Sequence, residues 1–103
     1  MSNYPKIAIL LSTYNGAQFL EEQLDSLLQQ TYSNLVIVVR DDGSLDNSQR
    51  ILEDYALRHR EKIHQVTNSD VNLGASGSFS FLIEYVLEQK ATLGLSSAYM
   101  MFC

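Results

Sequence analysis

Two apolar runs constrain the fold more than any other feature: Ile7-Ala8-Ile9-Leu10-Leu11 and Leu35-Val36-Ile37-Val38-Val39. Each breaks off abruptly into a polar segment. An unbroken apolar run of this length reads as a strand buried on both faces, as in a parallel sheet. Such a strand needs helices above and below it, and a crossover to reach its parallel neighbour. Leu20, Leu24, Leu27 and Leu28 provide that crossover, spaced as one face of a helix. Asn15 is placed to cap this helix, and Gln30-Thr31-Tyr32-Ser33-Asn34 ends it.

The alternation continues. Asp46 and Gln49 have the spacing of a capping box before a second helical stripe of Ile51, Leu52, Tyr55 and Ala56. Lys62 to Thr67 reads as a third strand, with Ile63 and Val66 out of strict alternation. A polar loop over Asn68 to Ser78 follows. Phe79, Leu82, Ile83, Val86 and Leu87 mark a third helix, closed by Thr92-Leu93-Gly94. Ala98-Tyr99-Met100-Met101-Phe102-Cys103 opens a fourth strand. The order β-α-β-α-β-α-β predicts an α/β, Rossmann-like parallel sheet with helices on both faces. Because the last apolar run has no polar tail, the natural domain is expected to continue beyond Cys103. A complete small domain with a buried C-terminal strand is the alternative.

Composition narrows the function. The formal net charge is −5, which argues against a nucleic-acid partner, since phosphate binding needs clustered cations. The basic residues are scattered apart from Arg58, His59, Arg60 and Lys62, which read as a solvated helix end. Cys103 is the only cysteine, the N-terminus lacks the pattern of a secretory leader, and no apolar run approaches ~18 residues. The expected location is cytoplasmic, with a full-length protein able to sit at the inner membrane face.

Ligands of open α/β sheets bind at the carboxyl ends of the strands. Ser12 to Gly16, Asp41 to Asp46 and Asn68 to Ser78 all fall there. Asp41 and Asp42 are a carboxylate pair able to accept from an amide-like N–H such as that of uracil or thymine, or to contact a cation. Asp-Gly is equally a turn signal. Ser12 and Thr13 bring hydroxyls and Tyr14 a ring to lie against a base, while capping by Asn15 and packing by Tyr14 is the plainer account. The segment around Gly74 precedes a helix and offers backbone N–H groups to a phosphate, or is simply a flexible loop. It matches neither the dinucleotide fingerprint nor the Walker loop. His59, His64 and Cys103 lack metal-ligand spacing, and no G-x-S-x-G elbow is present.

Taken together these segments resemble the family 2 glycosyltransferases with the GT-A fold. The resemblance is carried in order by Lys6 to Gly16, Phe19 to Tyr32, Val38 to Asp46, and Asn72-Leu73-Gly74. The Arg40-Asp41-Asp42-Gly43-Ser44 version, with Asn72-Leu73-Gly74-Ala75 and Phe79-Ser80-Phe81, looks most like the bacterial rhamnosyltransferase-like branch. The resemblance implies a nucleotide-sugar donor, UDP- or dTDP-linked, and a surface-polysaccharide or related carbohydrate acceptor. It places Ser12, Thr13, Tyr14, Asn15, Asp41, Asp42 and Gly74 around the nucleotide, with Asp42 on the pyrimidine N3–H and Asp41 supporting the strand end. The segment after Asn72-Leu73-Gly74 lacks the basic residue the family often has. The family's metal-binding acidic motif, for Mg²⁺ or Mn²⁺, would follow the fourth strand and is expected beyond Cys103, so the chain alone should hold no metal and no catalytic residue.

Two other readings stay open at this level. One is a non-catalytic nucleotide-binding or self-associating module, using an exposed edge of the first or fourth strand. The other is a phosphoacceptor receiver domain, disfavoured because the acidic pair follows the second strand and the third ends in Thr67-Asn68-Ser69-Asp70.

Overall fold

A computed structural model describes residues 6–30, 34–66, 72–93 and 95–102. The expected helix end at Thr31 to Ser33, Thr67, the loop residues Asn68 to Val71, Gly94 and Cys103 lie outside the described residues. The elements are β1 (Lys6–Thr13), α1 (Ala17–Leu28), β2 (Leu35–Asp41), α2 (Ser48–Arg58), β3 (Ile63–Gln65), α3 (Gly74–Leu93) and β4 (Leu95–Phe102). They form one sheet in the order β3-β2-β1-β4, with every neighbouring pair parallel.

The expected α/β architecture with helices on both faces is present, and strand alternation builds it. Leu11, Ile37, Val39 and Ile63 point to one face, where they pack with Leu20, Leu24 and Leu27 of α1 and Leu52 and Tyr55 of α2. Ala8, Leu10, Val36 and Val38 point to the other, against Leu82 and Val86 of α3. Burying each large aliphatic side chain is worth roughly 1.5–3 kcal/mol, so the double-sided runs of β1 and β2 hold the layers together.

Three expectations are corrected. Helix α3 starts at Gly74, not near Phe79. Its inner stripe is Ser78, Leu82 and Val86, all buried, and the hydroxyl at the first of these positions hides the stripe from a reading based on apolar residues. Strand β4 begins at Leu95, before Ala98, because the buried Leu95 and then Ser97 already pair with β1, through a register shift at Lys6 and Ile7. Strand β1 offers no free edge, being paired on both sides; among the described residues the outer strands are β3 and β4. Tyr99, Met100 and Phe102 of β4 are exposed. No helix among the described residues is long and apolar enough to cross a membrane.

Candidate functional site

The carboxyl ends of β1 and β2 lie side by side, Ser12 beside Arg40 and Thr13 beside Asp41. The backbone N–H of Asp42 donates to the Thr13 carbonyl at 2.8 Å, which fixes the exit of one strand against the other. The two-residue period of a strand then sorts the polar side chains. Ser12 and Arg40 continue the rows that face α3, and Asp42 follows them. Thr13 and Asp41 continue the rows that face α1 and α2.

On the α3 side the polar groups form a buried network. Arg40 and Ser12 are fully buried and Asp42 is 2% exposed. The Arg40 guanidinium donates to Asp42 Oδ1 at 2.6 Å and to Ser78 Oγ at 2.8 Å. Ser12 Oγ donates to Ser78 Oγ at 2.7 Å. The ring of Phe81 lies 5.6 Å from the guanidinium carbon, within cation–π range. The backbone N–H of Leu73, just ahead of α3, also donates to Asp42 Oδ1, at 2.7 Å. One carboxylate oxygen is thus held by two donors, while no hydrogen bond from a described residue reaches the other.

The other side is a set of loop stitches. Asp41 accepts from the Ser44 N–H and hydroxyl, a turn closed by its own side chain. Asn15, at φ 50, takes the left-handed conformation its side chain tolerates. It does not cap α1: its Oδ1 accepts from Leu45 N–H, and its own N–H donates to Ser44 Oγ. The N-terminus of α1 is capped instead from the next loop, Gly16 N–H donating to Ser48 Oγ and Ala17 N–H to Asp46 Oδ2. Nor does Asp46 form a capping box with Gln49; its Oδ1 accepts from the Ser48 N–H and hydroxyl. Desolvation pushes the Asp46 carboxyl up, but the hydrogen bonds from Ser48 and Ala17 outweigh it and hold the group below its ordinary value. Thr13 Oγ1 is buried without a hydrogen-bond partner among the described residues.

Asp42 itself is buried, while Asn72 and Gly74, on either side of its Leu73 donor, are exposed. Tyr14 is 40% exposed and stands just past β1. Gly43, at φ +77, brings its backbone against Asn72, where an added Cβ would sit 3.3 Å from both the side chain and the N–H nitrogen. Gly74 opens α3 at φ +77 and donates its N–H to Asn72 Oδ1 at 3.0 Å. The structure therefore brings Ser12, Asp42 and the Asn72–Gly74 segment together, and sets Asn15 and Asp41 to a neighbouring scaffold. Sequence reading missed Arg40 and Ser78 as members of the site; the signal was a charge on the apolar parity of β2 and a hydroxyl on that of α3. Away from the site, Arg58 pairs with Asp54 at 2.8 Å and lies over the Tyr55 ring, as a solvated helix end should.

A divalent ion does not fit these residues. Both oxygens of Asp41 are taken by Ser44, and Asp42 already faces a guanidinium. No group of three or more metal-ligating side chains occurs among the described residues.

The sequence profile described as Glycosyl transferase family 2 matches residues 8–100. An uncharacterized glycosyltransferase of Rickettsia felis is 39% identical over 72 residues, covering 70% of this chain and 12% of that protein. An uncharacterized glycosyltransferase of Nostoc is 36% identical over 75 residues, covering 73% of this chain and 23% of that protein. Among solved structures, a mannosyltransferase from Pyrobaculum calidifontis in complex with GDP-Man and Mn²⁺ aligns with a TM-score of 0.64 and 27% identity, over 80% of this chain and 25% of that one. The chain thus spans a quarter or less of these relatives. The profile match runs through both strand ends, and the fold agrees with it and not with a receiver domain. On this match, and with this parallel sheet, the chain belongs to glycosyl transferase family 2.

Proposed function

We propose that this chain binds the nucleotide of a nucleoside-diphosphate sugar for transfer of the sugar to a carbohydrate acceptor, with Asp42 reading the base. One observation carries the reading: Asp42 sits at the joined ends of β1 and β2, with one oxygen held by the protein and no donor from a described residue on the other. A carboxylate is an acceptor only. It matches the N3–H of uracil or thymine, hence a UDP- or dTDP-sugar. Tyr14 supplies an exposed ring for stacking, and the Asn72–Gly74 segment leads to the N-terminus of α3, whose field favours a diphosphate. Asp41 supports the strand end through its turn with Ser44. The rhamnosyltransferase-like placing, with a surface-polysaccharide acceptor, rests on the Arg40–Ser44 and Asn72–Ala75 segments.

A guanine donor is the second reading. The Pyrobaculum mannosyltransferase was solved with GDP-Man, and the N1–H of guanine meets a carboxylate as a pyrimidine imide does. The same complex holds Mn²⁺. A divalent ion, Mg²⁺ or Mn²⁺, neutralises charge on a leaving diphosphate; here its ligands would lie outside the described residues. Calorimetry with UDP, dTDP and GDP on the protein in its full encoded length separates the readings. Equal affinity of wild type and Asp42→Asn for all three would refute the role of Asp42. A non-catalytic, self-associating role draws support from the exposed Tyr99, Met100 and Phe102 on the outer strand β4; a monomer in sedimentation at high concentration would remove it.

A further inference from the structure

We propose that Arg40 is a positioning residue for base recognition: it holds one oxygen of Asp42 so that the other is presented to the N–H edge of a uracil, thymine or guanine ring, and cytosine is refused. This rests on the reading of Asp42 as the base contact.

Position 40 continues the row of Val36 and Val38 that packs towards α3, where another branched apolar side chain would fill the space. The residue there is instead a fully buried arginine. A buried ion pair is rarely more stabilising than apolar residues of similar volume. Packing alone therefore does not account for a charge at this position; its effect on Asp42 does. Arg40 and the Leu73 N–H both donate to Asp42 Oδ1, at 2.6 and 2.7 Å. Two donors on one oxygen, arriving from different elements, fix the plane of the carboxylate. The same guanidinium is fixed in turn by Ser78 at 2.8 Å and by the Phe81 ring.

A fixed acceptor discriminates between bases. It pairs with the ring N–H of uracil, thymine or guanine, whereas the unprotonated N3 of cytosine is itself an acceptor and leaves the carboxylate opposed by a lone pair. Sites built around such a pairing reject the wrong partner strongly, because their buried polar group is left unpaired. A carboxylate free to turn would lose part of that discrimination even with its charge intact.

The test is calorimetric titration of the full encoded protein with UDP, GDP and CDP in the presence of Mn²⁺, on wild type, Asp42→Asn, Arg40→Met and Arg40→Lys, with near-ultraviolet circular dichroism reporting the fold. Wild type should prefer UDP or GDP over CDP, and Asp42→Asn should lose the preference. Arg40→Met should reduce it by about tenfold or more, the scale of one charge-assisted hydrogen bond. Arg40→Lys keeps the charge without the planar fork and should fall between. A purely structural arginine would weaken all three nucleotides alike and leave their ratio unchanged. Loss of preference in Asp42→Asn with an unchanged ratio in both folded Arg40 variants overturns the proposal and leaves the reading of Asp42 standing. If Arg40→Met does not fold, the ratio in Arg40→Lys decides alone. Wild type binding CDP as tightly as UDP and GDP overturns the reading of Asp42 itself.

Discussion

Asp41 and Asp42 are neighbours in the chain and strangers in the structure. Asp41 points towards α1 and α2 and spends both oxygens on Ser44. Asp42 points towards α3, bonds a buried arginine and the Leu73 N–H through one oxygen, and has no described donor on the other. The first belongs to a closed scaffold that joins the β1–α1 loop to the β2–α2 loop. The second belongs to a network with capacity left over. The difference comes from strand parity, and it teaches that two like residues at a strand end can divide into one whose acceptors are all used and one with an acceptor to which no described residue donates.

The comparison can be broken by mutation, beginning with its costliest bond. Arg40→Ala strands the Asp42 carboxylate in a buried site and should cost about 3–5 kcal/mol in urea unfolding. Replacing both partners together, as Arg40→Met with Asp42→Leu, should restore much of that loss. A single variant as stable as wild type would mean the network is not a unit.

The two aspartates should separate next. Asp41→Asn is expected to cost roughly 1–3 kcal/mol of stability by weakening a buried turn, with base preference unchanged in titration calorimetry. Asp42→Asn should do the reverse to binding and abolish the preference. The same binding profile in both variants would erase the distinction.

Gly43 joins the two regions. Alanine there must adopt φ +77 and place a Cβ 3.3 Å from Asn72, a penalty of about 1–2 kcal/mol from the backbone alone. Thermal unfolding of Gly43→Ala measures it, and the Asn72–Gly74 segment should lose amide protection first.

The smallest effect is the acid response of the scaffold. The Asp46 carboxyl is held below its ordinary value of 3.8, so its contribution is present above that value and is lost as the pH falls through the lower folded one. Stability against pH should therefore decline below about pH 4, and Asp46→Asn should flatten part of that decline. The group is exposed, so the change is small, and an identical pH profile for the variant would assign the decline to other carboxylates.

How much was legible in advance follows the same division. The apolar runs of β1 and β2 and the leucine face of α1 revealed the layers, because burial on both faces needs no partner to be recognised. The strand-end location of Ser12, Asp41 and Asp42 was also legible. The start of α3 was not, since Gly74, Ser76, Gly77 and Ser78 look like loop until Ser78 is seen to occupy a core position against Ser12 and Arg40. Nor were the caps of α1, because their acceptors come from Asp46 and Ser48, far along the chain.

The amino-acid order by itself determined that strands and helices alternate, that the sheet is parallel and covered on both faces, and that acidic and hydroxyl groups gather at its carboxyl edge; these follow from local periodicity and burial. Only the tertiary structure decided that Ser44 takes both oxygens of Asp41 and that a buried guanidinium, Arg40, holds one oxygen of Asp42. The bonds themselves are short in sequence, but Arg40 and Asp42 are locked by Ser78 and Leu73, 38 and 31 positions away, and no local pattern encodes such distances.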